Sequence, residues 1–181
     1  MRIVRPVDES DVIAAFVRAE ADSARYGDTV RKLLRKHGGD ERAVLAEYRA
    51  WGRNEGLFSG FPEDVDWFRA ALSREEVLDI LYINWDWWLR ISGGTRKPRD
   101  AAGRVRAGLV PGVRPDEGDE RIARAAATNP PLIAVRAPNS YLVLLEGHVR
   151  LTAYALYPER IPSELELFLG ESPKMKGWSE Y

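Results

Sequence analysis

The stretch YLVLLEGHVRLTAYAL, residues 141–156, decides how this chain is read. Tyr141 to Leu145 is an apolar run of strand length, Glu146 and Gly147 stop it, and a helical pattern carrying His148 and Arg150 follows as far as Leu156. A strand that hands over through a glycine to a helix leaves the first helical N–H groups without partners. The helix macrodipole is positive at the same place, so the junction suits an anion.

Working outward, residues 132–136 read as a strand and 137–140 as a turn, which makes 132–145 a hairpin. Residues 165–169 alternate as a further strand, entered after Ile161-Pro162-Ser163 and broken from Gly170 onward. Before the hairpin, 98–108 reads as a short helix with Ala101, Ala102, Val105 and Ala107 inward. Residues 110–120 read as a loop, and 121–127 as a short helix ended by Asn129-Pro130-Pro131. The N-terminal half reads as helices. The spacing of Val12, Ile13, Phe16 and Val17 predicts one to about residue 23, and further helices are expected over 29–37, over 40–51 behind an Asp40 cap, and from Phe61 through Leu72. Ser73 and Glu76 form a capping-box pattern that opens a helix expected to run on through Leu89. The expected fold is α+β: a helical region over 1–90 packed on a small core over 91–181 with a mixed sheet of a few strands, the two forming one compact unit.

Composition narrows the chemistry. There is no cysteine, so disulfides, thiolate metal sites and thiol nucleophiles are excluded. Only two histidines, His37 and His148, are available for zinc, which leaves Mg held by a carboxylate and substrate phosphates as the metal to consider. Twenty-seven basic against 28 acidic residues argue against a surface coated for nucleic acid. No apolar run approaches the roughly 20 residues of a membrane helix and no secretory signal is legible, so the expectation is a cytoplasmic protein without a membrane partner.

Three further features carry chemistry. Ser92, Thr95 and Arg96, around Gly93-Gly94, offer two hydroxyls and a guanidinium to a phosphate, although two glycines are also an ordinary helix stop. Trp85, Trp87 and Trp88 cannot share one helix face, so either the helix lies between two layers or the rings form a platform for a base. The basic helix with Arg31, Lys32, Arg35 and Lys36 reads as a solvated face or as a phosphate contact.

From Arg96 onward the order of elements resembles the ParB/sulfiredoxin superfamily. The matching parts are an arginine after an early loop, a helix ending at Gly108, a strand entered through Pro131, a turn at Asn139-Ser140, and a strand running into a Gly-x-x-Arg box with Ala153 behind it. Glu146-Gly147-His148-Val149-Arg150 is similar to the Asp-Gly-His-His-Arg form of that box. The resemblance covers about half the chain and carries an insertion over 109–129. It implies binding of nucleotide phosphates, with ATP or CTP and Mg as candidate ligands. Gly147 would allow close backbone approach, His148 and Arg150 would hold phosphate oxygens, and Arg96 would be a distant contributor. Glu146 would orient a hydroxyl, bind Mg or act as base, and with His148 makes up the candidate catalytic pair.

The departures matter too. His148 stands where sulfiredoxins carry a catalytic cysteine, Val149 replaces the second histidine of the kinase-like box, and no helix-turn-helix follows the core. The expected function is a nucleotide- or phosphate-ligand-binding protein, with nucleotide hydrolysis or phosphotransfer to a small molecule as its enzymatic forms. The alternative is a non-catalytic module binding a partner protein or DNA through the helical half, with nuclease activity a minor option.

Overall fold

Ile133, Ala134 and Val135 have no solvent exposure at all, and a strand buried on both faces belongs at the centre of a sheet. The computed structural model, which describes residues 1–113 and 131–181, places them there. Its five strands are β1 (Arg2–Pro6), β2 (Asp66–Ser73), β3 (Ile133–Arg136), β4 (Val143–Glu146) and β5 (Glu164–Glu171), in the order β1-β2-β5-β3-β4. All neighbouring pairs are antiparallel except β3 and β5, so the sheet is mixed and the protein is α+β. The helix expected over 121–127, with most of the loop before it, lies outside the described residues.

Helices cover both faces. On one side lie α1 (Glu9–Ala21), α2 (Gly27–Lys36) and α3 (Glu41–Arg49), whose Val12, Phe16, Val30 and Leu45 pack with Ile133, Val135, Leu145 and Phe168 of the sheet. On the other lie α4 (Arg74–Leu78), α5 (Asp86–Ser92), α6 (Pro98–Arg106) and α7 (His148–Leu156), packed on Ala70, Leu72, Ala134, Leu144, Leu167 and Leu169. Consecutive strand residues point to opposite faces, and this divides each apolar run between the two cores.

Two expectations need correction. Residues 61–72 do not form a helix, because Asp66–Ser73 is strand β2, hydrogen-bonded between β1 and β5. The apolar positions Trp67, Phe68 and Leu72 fit either period over so short a run, and two partner strands decide it. Trp67 lies over Gly170, where a Cβ would come within 2.7 Å of its ring, so the glycine expected to break the last strand lies within β5 and makes room for an aromatic across from it. The second correction concerns the helix opened by Ser73. Its capping box is present, with the Ser73 N–H donating to Glu76 at 2.8 Å, but α4 ends at Leu78. Leu81 then bonds to the outer edge of β4, its N–H to Leu142 O at 2.9 Å and its carbonyl accepting from Leu144 at 2.8 Å, before α5 begins at Asp86. β1 was not anticipated because all its residues are exposed, which leaves no alternation to detect.

Candidate functional site

The end of β4 is not regular. Ala134 pairs with Leu144 and Ile133 with Glu146, so Leu145 is an extra residue in the ladder. Such a bulge re-aims the side chains beyond it. Glu146 therefore comes onto the same face as Ile133 and Leu145, the face covered by α1 to α3, rather than alternating away from it. Gly147 follows with φ 104°, in the left-handed region, and a Cβ there would collide with the Leu132 side chain and sit 3.2 Å from the Arg150 guanidinium. It stands at the N-cap of α7 and, having no side chain, cannot itself accept from the early N–H groups of this nine-residue helix.

His148, the first residue of α7, is only 9% exposed. Its ring is nearly parallel to that of Trp88, with centroids 4.8 Å apart, and Tyr82 lies against both, 4.9 Å from Trp88 and 6.0 Å from His148. The Thr152 hydroxyl donates to His148 O at 2.8 Å, so the Tyr82 hydroxyl, 2.7 Å from Thr152 Oγ1, donates to it in turn. This chain fixes the first turn of α7 from beneath. Burial lowers the imidazole pKa to about 3, helped by the positive charges of Arg150 and Arg49, so the ring is neutral at physiological pH and offers one N–H rather than a cation. Its Nε2 is sealed from solvent and has no hydrogen-bonding partner among the described residues, and an orphaned ring nitrogen of this kind calls for a partner of some sort.

The charged groups around it come from both helical layers. Arg150 reaches back one turn to Glu146 at 3.4 Å, a long pairing whose side chains keep 14% and 21% exposure. Glu20 of α1 is buried and accepts from Arg49 of α3, the Nε bond being 3.0 Å and Nη2 binding the same oxygen. The Arg49 guanidinium lies 4.4 Å from the centre of the Tyr48 ring and 5.0 Å from that of Tyr26. Burial raises the Glu146 carboxyl above the ordinary carboxylate range; Arg150 and Arg49 oppose this and the Glu20 charge adds to it. The Tyr48 hydroxyl has no partner among the described residues, and burial with the nearby Glu20 pushes its pKa up to about 12.

The chain, compared with protein-family models, curated proteins and solved structures, matches none of them.

Glu146, Gly147, His148 and Arg150 are thus brought together, whereas Ser92, Thr95 and Arg96, at and beyond the end of α5, have other partners. Ser92 is buried; its hydroxyl donates to Trp88 O at 2.7 Å and accepts from the Arg96 N–H at 2.9 Å. Thr95 Oγ1 donates to Ser92 O at 3.1 Å. Arg96 clamps three main-chain oxygens, of Tyr82 at 2.7 Å, Tyr181 at 2.6 Å and Glu180 at 3.1 Å. Ser92 and Thr95 are thus taken up in closing the end of α5, and Arg96 ties that end and Tyr82 to residues 180 and 181.

The tryptophans divide: Trp88 belongs to the ring cluster, while Trp85 and Trp87 are 48% and 41% exposed, which corrects the expectation of a helix enclosed between two layers. In the basic helix, Arg31 pairs with Asp28 and Lys36 with Glu47, both at 2.7 Å. Tyr82, Thr152, Glu20, Tyr48 and Arg49 were missed from the sequence. Glu20 had left a signal: it continues the Ile13, Phe16, Val17 stripe of α1, and an acid on an apolar stripe requires a buried partner.

An open groove of about 500 Å³ lies elsewhere, between α1 and the β1–β2–β5 part of the sheet. Arg5, Arg18 and Arg69 line it together with Asp11, Asp22 and Glu166, so it favours neither sign of charge and includes none of the junction residues. Among the described residues no group of three or more His, Asp or Glu is arranged to hold a metal ion, and no helix is long and apolar enough to cross a membrane.

Proposed function

We propose that the protein binds a nucleotide or another phosphorylated small molecule at the β4–α7 junction, in the manner its resemblance to ParB/sulfiredoxin-like cores implies. One observation carries the reading: a left-handed Gly147, with no side chain to cap it, opens a helix beside a buried His148 whose Nε2 has no partner among the described residues. Backbone N–H groups at a helix start with an added neutral N–H donor are the components of an oxyanion cradle. Arg150 adds a planar fork suited to phosphate, for which Glu146 is one competing acceptor.

Where the ligand is ATP or CTP, Mg would arrive with its phosphates, and the residue present to meet it is Glu146. Hydrolysis or phosphoryl transfer would use the same carboxyl as base, since its raised proton affinity suits that task better than an imidazole whose pKa lies near 3. The nucleotide pool of the cytoplasm is the setting this reading supposes.

The test is calorimetric titration of the wild type and Arg150→Ala with ATP, ADP and CTP, with and without Mg. Binding by the wild type and its loss in Arg150→Ala, with the fold retained by circular dichroism, is the expected result; no binding of any of them by the wild type defeats the proposal.

The exposed Trp85 and Trp87 favour a second reading, a surface for a partner protein. It predicts that Trp85→Ala with Trp87→Ala leaves nucleotide binding intact and abolishes co-purification of the partner.

A further inference from the structure

Resting on that reading, we propose that Arg49, carried by the helical half, is a second ligand-binding guanidinium of the junction site, so that a phosphoryl group is held between Arg150 of α7 and Arg49 of α3. The bulge at Leu145 brings Glu146 onto the face that α1 to α3 cover, where Val44 and Leu45 of α3 share a core with Leu145. Arg49 is fixed in advance. Its Nε and Nη2 both bind one oxygen of the buried Glu20, its plane rests on Tyr26 and Tyr48, and its Nη1 donates to no group among the described residues. The side chain keeps 26% exposure, enough to meet a ligand and too little to move freely.

A side chain placed by a carboxylate and two aromatic rings loses little freedom when it binds an anion. Its charge is felt by both His148 and Glu146, as is that of Arg150. The orphaned Nε2 of His148 belongs to a ring more than nine-tenths buried and within electrostatic reach of both guanidinium groups, and a bound oxyanion would give it an acceptor. With both acids ionised the four charged side chains sum to zero, so the site selects the terminal phosphoryl group through forked hydrogen bonds rather than through excess positive charge.

The experiment titrates pyrophosphate and ADP into the wild type, Arg150→Ala and Arg49→Lys. Lysine keeps the pairing with Glu20 and removes the fork, and the expected outcome is about 10- to 100-fold weaker binding with the melting temperature little changed. If Arg49→Lys unfolds, the double variant Glu20→Gln/Arg49→Gln, which keeps a neutral hydrogen bond in the same place, takes over the same comparison. Wild-type affinity in the folded Arg49 variant, with loss in Arg150→Ala, overturns this inference and leaves the proposed function standing. Failure of the wild type to bind pyrophosphate, ADP, ATP and CTP alike overturns both.

Discussion

Acid should destabilise this protein largely through one ring. His148 has a pKa near 3 in the folded chain against an ordinary 6.5, so the folded state binds fewer protons than the unfolded state anywhere between those values. A depressed folded pKa contributes stability that is complete above pH 6.5 and is lost as the pH falls towards 3. At about 1.4 kcal/mol per tenfold change, the full loss is about 5 kcal/mol, and by pH 5 it has reached about 2 kcal/mol.

His148→Phe keeps a flat ring against Trp88 and Tyr82 and removes both the orphaned Nε2 and the titration. Urea unfolding followed by tryptophan fluorescence at pH 7.5 and pH 5.0 gives the comparison. The wild type should lose about 2 kcal/mol more than the variant between the two pH values. Glu146, whose folded pKa is raised, acts in the opposite direction, gaining stability as the pH falls, but it is present in both proteins, so the difference isolates His148. Equal losses in the two proteins would refute the buried, neutral imidazole and with it the argument for an unsatisfied nitrogen in the site.

Other perturbations test the frame around that ring. Gly147→Ala places a Cβ against Leu132 at a positive φ and should lower stability by about 1–3 kcal/mol, visible as a drop in melting temperature. Tyr82→Phe removes the donor to Thr152 Oγ1 in a fully buried place and should cost about 1–2 kcal/mol in denaturant unfolding, leaving the ring stack in place. Glu20→Ala leaves Arg49 without its acceptor and should destabilise by about 2–3 kcal/mol, whereas Glu20→Gln should recover part of that loss.

Much of the architecture was legible because short-range rules governed it. The capping box at Ser73, the Asp40 cap of α3 and the glycine stop after α5 are local hydrogen-bond devices, and each stands where its residues indicated. The hairpin of β3 and β4 and the glycine at the start of α7 were read from a run of apolar residues and its interruption. The failures share a cause. Asp66–Ser73 reads equally as strand or helix until β1 and β5 supply hydrogen bonds on either side. The tryptophan segment reads as one helix until Leu81 is drawn to the edge of β4.

By itself, then, the sequence determined that a glycine ends a strand and begins a helix at residue 147, with an acid before it and His148 and Arg150 after it. It also excluded thiol chemistry. Only the tertiary structure decided what surrounds those groups. Burial beside Trp88 and Tyr82 makes His148 neutral, and a single bulged residue sends Glu146 to the face covered by the helical layer, which carries Glu20 of α1 and Arg49 of α3 from far earlier in the chain. Proton affinity and charge pairing depend on desolvation and on distance in space, and neither follows from spacing along the chain.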